Sequence, residues 1–311
     1  MDLAAALRQR LGRERVREHE PLAPFTTLRV GGPADLLAEV RSADEALEVV
    51  RLAREASVRV AWLGGGSNLL VADRGVRGLV VRWHGGALSS PAPGRVRAEA
   101  GVTINGLVRY TIGHALAGVA EWAGTPGTVG GAVHGNAHFR GRMISETIVS
   151  VRVALPDGTV VDLPEAEMEF GYDRSRLQRT GEVALAADFR VSDGDPAALR
   201  DEARRSLAFR KRTQPLALPS AGCVFQNPDA ASARLPEGLP ASAGALVDAA
   251  GLKGAACGGA RVSPVHANFV VNEGGASARE VAALIDRMRE AVAERFGVRL
   301  EEEIVRVGEF A

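Results

Sequence analysis

Three runs, the first two dense in glycine, hold many of the residues in this chain that could do chemistry. The first, Leu63-Gly-Gly-Gly-Ser-Asn-Leu-Leu70, closes a strand-like segment. Its glycines can turn successive N–H groups toward one point, and Ser67 and Asn68 add short hydrogen-bonding side chains. It lacks the Gly-Lys-Ser/Thr ending of a Walker A loop, and Leu69 stands where G-x-G-x-x-G needs its third glycine. The second run, Glu121 to Asn136, places five glycines in sixteen residues. Gly124, Gly127, Gly130 and Gly131 permit close backbone approach, Thr125 and Thr128 offer hydroxyls, and Pro126 restricts the turn. Two separated backbone nests suit a long cofactor with a diphosphate and a flat ring, the alternative being purely structural turns. The third run, Pro219-Ser-Ala-Gly-Cys-Val-Phe-Gln-Asn-Pro228, carries a cysteine beside a glycine. Cys223 could be a nucleophile, a proton donor or a buried structural thiol, and no His or Asp lies at a local spacing that would activate it.

The elements that must position these runs read as alternating strands and helices. A helix is predicted over residues 1 to about 17 from Leu3, Leu7 and Leu11. Leu36 to Val40 reads as a strand. Ser42-Ala-Asp-Glu45 then reads as a capping box before a helix whose inner face is Ala46, Val49, Leu52 and Ala53. Val58 to Leu63 and Leu79 to Trp83 return as strands. Arg95 to Ala100 is strand-like and Ile104 to His114 helical. Ile148 to Leu155 turns at Asp157-Gly158 into Val160 to Leu163, a hairpin, and Val183 to Val191 adds a strand. Ser192 to Pro196 marks a boundary before a charged helix from about Ala197 to Lys211. Asn268 to Val271 reads as a strand, Ala278 to Phe296 as a helix capped by Ser277 and Glu280, and Arg299 to Val307 as a strand with three consecutive glutamates.

Composition narrows the function classes. The 38 basic residues balance the 38 acidic ones, which excludes a broadly basic nucleic-acid-binding surface but leaves room for a local anion pocket. All the basic residues except Lys211 and Lys253 are arginine. Cys223 and Cys257 are too few for a disulfide framework, and no secretory leader or membrane-spanning run is read. A cytoplasmic protein is expected. His134 and His138 flank Gly135-Asn-Ala137, so helical ligand spacing does not apply and no metal site is assigned. His266 reads as a structural residue of the third unit.

Taken in order, these runs and several others resemble the UDP-N-acetylenolpyruvoylglucosamine reductase (MurB) family. The shared text is Thr27-Leu-Arg-Val-Gly-Gly-Pro-Ala34, Leu63 to Val71, Gly124 to Val133, Phe170-Gly-Tyr172, Pro219 to Pro228, Val262 to Asn272, and Leu300-Glu-Glu-Glu-Ile304 before Gly308. The resemblance implies an α+β architecture: a two-subdomain FAD-binding fold of the vanillyl-alcohol-oxidase type with a third α+β substrate-binding domain. The expected boundaries are 1–83 and 84–195 for the FAD-binding subdomains, 196–298 for the substrate-binding domain, and 299–311 for a segment returning to the flavin site. The short passage after Tyr172 resembles the compact subtype without an inserted substrate-covering loop.

The resemblance further implies FAD as cofactor and NADPH as hydride donor. The substrate would be UDP-N-acetylglucosamine enolpyruvate, reduced to UDP-N-acetylmuramate for bacterial peptidoglycan. No nucleic acid, membrane insertion or obligate protein partner is implied. FAD would lie against Leu63, Gly64, Gly65, Gly66, Ser67 and Asn68, and against Gly124, Thr125, Gly127, Thr128, Gly130, Gly131 and Ala132. Cys223 occupies the position of the family's usual proton-donor serine. Glu303 matches the C-terminal glutamate that helps to stabilise an enolate-like intermediate, with Glu302 the rival for a register one residue away. The usual Phe-x-Tyr-Arg-x-Ser is here Phe170-Gly-Tyr-Asp-Arg-Ser175, so Asp173 takes the arginine position. Arg174, one residue later, is the candidate for the substrate carboxylate. Tyr172, Lys211 and Asn227 match substrate-binding positions, Lys211 near the diphosphate, whereas Gln226 stands where relatives often carry lysine. The competing readings are a related FAD-dependent oxidase or dehydrogenase of an alcohol or amine, and a non-catalytic flavin-binding protein.

Overall fold

The computed structural model describes residues 1–229, 235 and 238–310. Two compact units emerge from a chain that passes repeatedly from one to the other. Met1–Glu18, Leu36–Gly65 and Gly78–Phe209 build the first; His19–Asp35, Gly66–Arg77 and Arg210–Ala311 build the second.

The first unit begins with the helix Leu3–Leu11, whose Leu3, Leu7 and Leu11 are buried. It stops well short of residue 17 because Gly12 adopts φ 95°, and a short 3-10 turn then leads into the strand Val16–Pro21. That strand, too charged to show alternation, lies at the edge of a four-stranded sheet beside Pro33–Val40, Val76–Trp83 and Val60–Leu63. The last two pair in parallel, Val60 opposite Leu79. The helix Ala43–Glu55 buries Ala46, Val49, Leu52 and Ala53, which join a core containing Leu36, Leu79 and Val81. Its expected capping box is only half made. Ser42 accepts from the Glu45 N–H, but the Glu45 carboxylate accepts from the Arg41 N–H at 2.8 Å instead of from Ser42.

A five-stranded antiparallel sheet comes next, ordered Val160–Pro164, Ile148–Ala154, Val183–Arg190, Arg95–Glu99, Leu88–Ala92. The expected hairpin forms, with Asp157 accepting from the Thr159 N–H in its turn. The helices Ile104–Gly113 and Val129–His134 contribute Leu107, Val129 and Val133 to the core that also holds Val96, Val151, Val153 and Phe189. The helix Pro196–Thr213 buries Leu199, Ala203, Ser206 and Arg210, at spacings of four, three and four, along one face.

The second unit is built around the helix Ala278–Phe296. Its Ser277–Glu280 capping box is complete, and Val281, Leu284, Ile285, Met288 and Val292 are buried. An antiparallel sheet ordered Ser220–Cys223, Phe269–Asn272, Ala260–Val262, Ala256–Cys257 packs with it. A separate parallel pair joins Leu69–Val71 to Val305–Val307. The strand expected over 299–307 is therefore shorter. Residues 301–304 instead make irregular bonds to the Val224–Gln226 segment, with Gln226 N–H donating to Glu301 C=O and Glu303 N–H to Val224 C=O. Among the described residues no helix is long and apolar enough to cross a membrane.

Candidate active site

In the second unit, Ser220–Cys223 and Phe269–Asn272 pair as Ser220 with Val271 and Cys223 with Phe269, so one extra residue bulges from the first strand. Gly222 takes up the bulge at φ 82°, a conformation that a side chain would strain. The bulge re-aims Cys223 and leaves it half-buried. Asn268, 3% exposed, clamps the two residues after the cysteine. Its C=O accepts from Val224 N–H at 2.7 Å, its side-chain oxygen accepts from Phe225 N–H at 3.0 Å, and its amide donates to Phe225 C=O at 2.7 Å. The Glu303 N–H donates to Val224 C=O at 2.8 Å, which brings the glutamate to the residue beside Cys223. From the glycine loop, Asn68 donates its amide to Glu303 C=O at 2.9 Å, and Val305 N–H donates to Asn68 C=O.

The three consecutive glutamates have different surroundings. Glu302 pairs with Arg289 and with Arg306 at 2.8 Å, and Arg306 also binds Asp286. Such a network commits its carboxylate to charge pairing. Glu301 is exposed, whereas Glu303 is half-buried and tied by its backbone to the Cys223 strand and to Asn68.

The glycine loops meet within the first unit. A Cβ on Gly65 would lie 2.6 Å from Gly127 Cα, and one on Gly64 would lie 2.5 Å from Thr128 Oγ1, so only bare backbone allows this approach. The second loop spends many of its N–H groups internally. Gly124 donates to the Asn105 side chain, Thr125 to Trp122, Val129 to Val102, Gly130 to Ala100, and Gly131 to Thr128 Oγ1. Much of the glycine requirement is thus loop-to-loop packing. Thr125 and Thr128 are themselves buried in this packing.

Also in the first unit, Gly171 and Arg174 exchange both backbone hydrogen bonds, leaving Tyr172 and Asp173 as the central residues of a tight turn. Asp173 adopts φ 52°. The turn is anchored by Asn136, whose amide donates to Gly171 C=O at 2.8 Å, and by Ser175, whose hydroxyl donates to His134 C=O. Arg174 stands on the stem with its guanidinium folded beside Gly171, not at the tip. His138 stacks on Tyr172 at 4.6 Å and 13°, and its Nε2 lies 3.7 Å from Asp173 Oδ1. Burial pushes the Asp173 carboxyl up to about 6 and lowers the His138 imidazole.

Of the remaining candidates, Lys211 is exposed in the last turn of Pro196–Thr213. Asn227 is exposed, and its side-chain oxygen accepts from Ala243 N–H at 3.0 Å at the start of the helix Ala243–Ala249. Sequence motifs assign no site role to Asn268, His138 or Arg210. For Arg210 a signal is present in the sequence, because it continues the helical stripe of Leu199, Ala203 and Ser206. Burial holds its guanidinium down to about 10.

The paired sheets, the interlocked glycine loops and the appended α+β unit define a flavoprotein with an FAD-binding fold of the vanillyl-alcohol-oxidase type. The FAD binding domain family matches residues 34–164, and the UDP-N-acetylenolpyruvoylglucosamine reductase C-terminal domain matches residues 214–307. The chain belongs to the UDP-N-acetylenolpyruvoylglucosamine reductase family. It is 42% identical over 301 residues to the reductase of Synechococcus sp. (strain WH7803), covering 94% of this chain and 93% of that protein. To the reductase of Bacillus subtilis (strain 168) it is 37% identical, covering 94% of each. The crystal structure of UDP-N-acetylenolpyruvylglucosamine reductase (MurB) from Thermus caldophilus superposes with a TM-score of 0.78 at 32% identity, covering 94% of this chain and 99% of that one.

Proposed function

We infer that the protein is an enzyme that reduces UDP-N-acetylglucosamine enolpyruvate to UDP-N-acetylmuramate, with FAD as cofactor and NADPH as hydride donor, in cytoplasmic peptidoglycan precursor synthesis. The observation that carries this reading is the Glu303-to-Val224 backbone hydrogen bond, which ties the glutamate to the residue after a bulged cysteine in a chain that also matches an FAD-binding domain.

FAD would be held by Leu63 to Asn68 and Gly124 to Ala132, and when bound it would supply the two-electron chemistry between NADPH and the enol ether. The chain's own residues manage charge and protons. Cys223 gives its S–H proton to the adjacent carbon, completing the saturated lactyl ether, and the thiolate regains a proton from water. Glu303 helps to stabilise the enolate-like intermediate as negative charge develops there. Tyr172 lies against the substrate, Arg174 adds positive charge near its carboxylate, and Lys211 and Asn227 hold the UDP portion. The pairing of Glu302 with Arg289 and Arg306 favours Glu303 over Glu302 for this role.

The test is a purified holoenzyme with a flavin spectrum that oxidises NADPH in proportion to added UDP-N-acetylglucosamine enolpyruvate. Turnover of an alcohol or amine instead would establish the oxidase reading. A flavin spectrum without turnover would establish a binding protein.

A further inference from the structure

Four charged side chains close a ring behind the C-terminal glutamates. Arg306 donates to both carboxylate oxygens of Glu302, Nε to Oε2 at 2.9 Å and Nη2 to Oε1 at 2.8 Å, and Arg289 Nη2 donates to Oε1 as well. Both arginines also donate to Asp286 Oδ1, at 3.0 Å from Arg289 and 2.9 Å from Arg306. Asp286 and Arg289 stand one turn apart on the helix Ala278–Phe296, so the ring ties Glu302 to the central helix of the second unit. The Glu302 side chain is 17% exposed, and a forked pair sheltered in this way is screened by salt less than a surface one.

Glu302 also belongs to the backbone junction that carries Glu303. It faces Phe225 across an isolated antiparallel bridge, flanked by the Gln226-to-Glu301 and Glu303-to-Val224 hydrogen bonds. Phe225 is fully buried, and the Arg289 guanidinium lies 5.9 Å from its ring centroid, so one arginine grips both sides of the bridge. No regular strand holds residues 301–304, and in extended backbone adjacent side chains leave on opposite faces. Pinning the Glu302 carboxylate therefore fixes the rotation of the chain that aims Glu303.

We propose that Arg289, acting through the Glu302 carboxylate, is a positioning residue for Glu303 in the reduction. The inference rests on the Glu303 role given above and deepens it: Glu302 is the anchor and Glu303 the working group.

Arg289→Met keeps an apolar stem over Phe225 and removes the charge. In anaerobic single turnovers it should slow reoxidation of NADPH-reduced flavin by UDP-N-acetylglucosamine enolpyruvate about tenfold, through a misplaced glutamate. Flavin content, the rate of flavin reduction by NADPH and the dissociation constant of the sugar nucleotide should stay at wild-type values. Amide hydrogen exchange in residues 299–306 of the holoprotein should rise about tenfold. Arg289→Lys, which retains the charge, should stay within about threefold of wild type. If Arg289→Met fails to hold flavin, Glu302→Gln carries the same test, because its amide keeps hydrogen bonds and loses the charge. Glu303→Gln should slow the turnover by itself, and adding Arg289→Met to it should slow it by less than about twofold more. Unchanged reoxidation in Arg289→Met overturns the proposal. So does a further slowing of about tenfold in the Glu303→Gln background, which would mean that the ring acts independently of Glu303. Wild-type turnover in Glu303→Gln overturns the Glu303 role and this inference with it.

Discussion

Asn68 donates its side-chain amide to the backbone carbonyl of Glu303 across 2.9 Å, and through it the glycine loop fixes the height of the C-terminal glutamate. The bond is reinforced close by, where Val305 N–H donates to Asn68 C=O and the parallel pair Leu69–Val71 with Val305–Val307 begins. Asn68→Ala should therefore lower kcat roughly tenfold through misplacement of Glu303, while stability falls by only about 1 kcal/mol. Steady-state kinetics beside denaturant unfolding would check it. A loss of stability with intact kcat would make the bond structural only.

Asn268 makes three bonds to the two residues after Cys223 while almost completely buried. Asn268→Ala removes both side-chain bonds and strands the N–H and C=O of Phe225 in the core. The expected cost is roughly 2–4 kcal/mol. Chemical denaturation of the holoprotein measures it directly.

Cys223 should matter in one half-reaction and not the other. Cys223→Ala should leave flavin reduction by NADPH unchanged but slow product formation on the order of a hundredfold or more. Cys223→Ser restores a donor on the same single-bond stem and should recover much of the loss. Stopped-flow traces of the two half-reactions separate the outcomes.

The raised Asp173 carboxyl makes stability depend on pH with a definite sign. Its folded value, about 6, exceeds the reference 3.8, so its contribution is complete below the reference value and is lost as pH rises through about 6. His138, lowered by the same burial, acts oppositely, which makes the difference between wild type and Asp173→Asn the quantity to measure. That difference should shift in favour of the variant by about 1–3 kcal/mol between about pH 4 and about pH 8. Unfolding curves at the two pH values give it.

Legibility in the sequence tracks the range of the interactions. The helix Ala278–Phe296 and the hairpin Ile148–Ala154 to Val160–Pro164 are encoded by spacing and by caps within a few residues, and both are legible. The second unit is not, because it gathers 19–35 and 66–77 with the chain beyond 210, and its parallel pairing of Leu69 with Val305 leaves no local trace. The edge strands Val16–Pro21 and Leu88–Ala92 are mostly solvated and lack alternation. At the site, Cys223 and Glu303 are legible as motif positions. The clamp from Asn268 and the stacking of His138 on Tyr172 depend on tertiary contacts that no spacing specifies.

The most direct test of the reduction is a single anaerobic turnover. Holoenzyme whose flavin has been reduced by NADPH is mixed with UDP-N-acetylglucosamine enolpyruvate in a stopped-flow instrument, and the product is identified by mass. Rapid recovery of oxidised-flavin absorbance is expected, with one UDP-N-acetylmuramate formed per flavin. Flavin that stays reduced in correctly folded holoenzyme, with the enolpyruvyl sugar recovered unchanged, would contradict the assigned reaction.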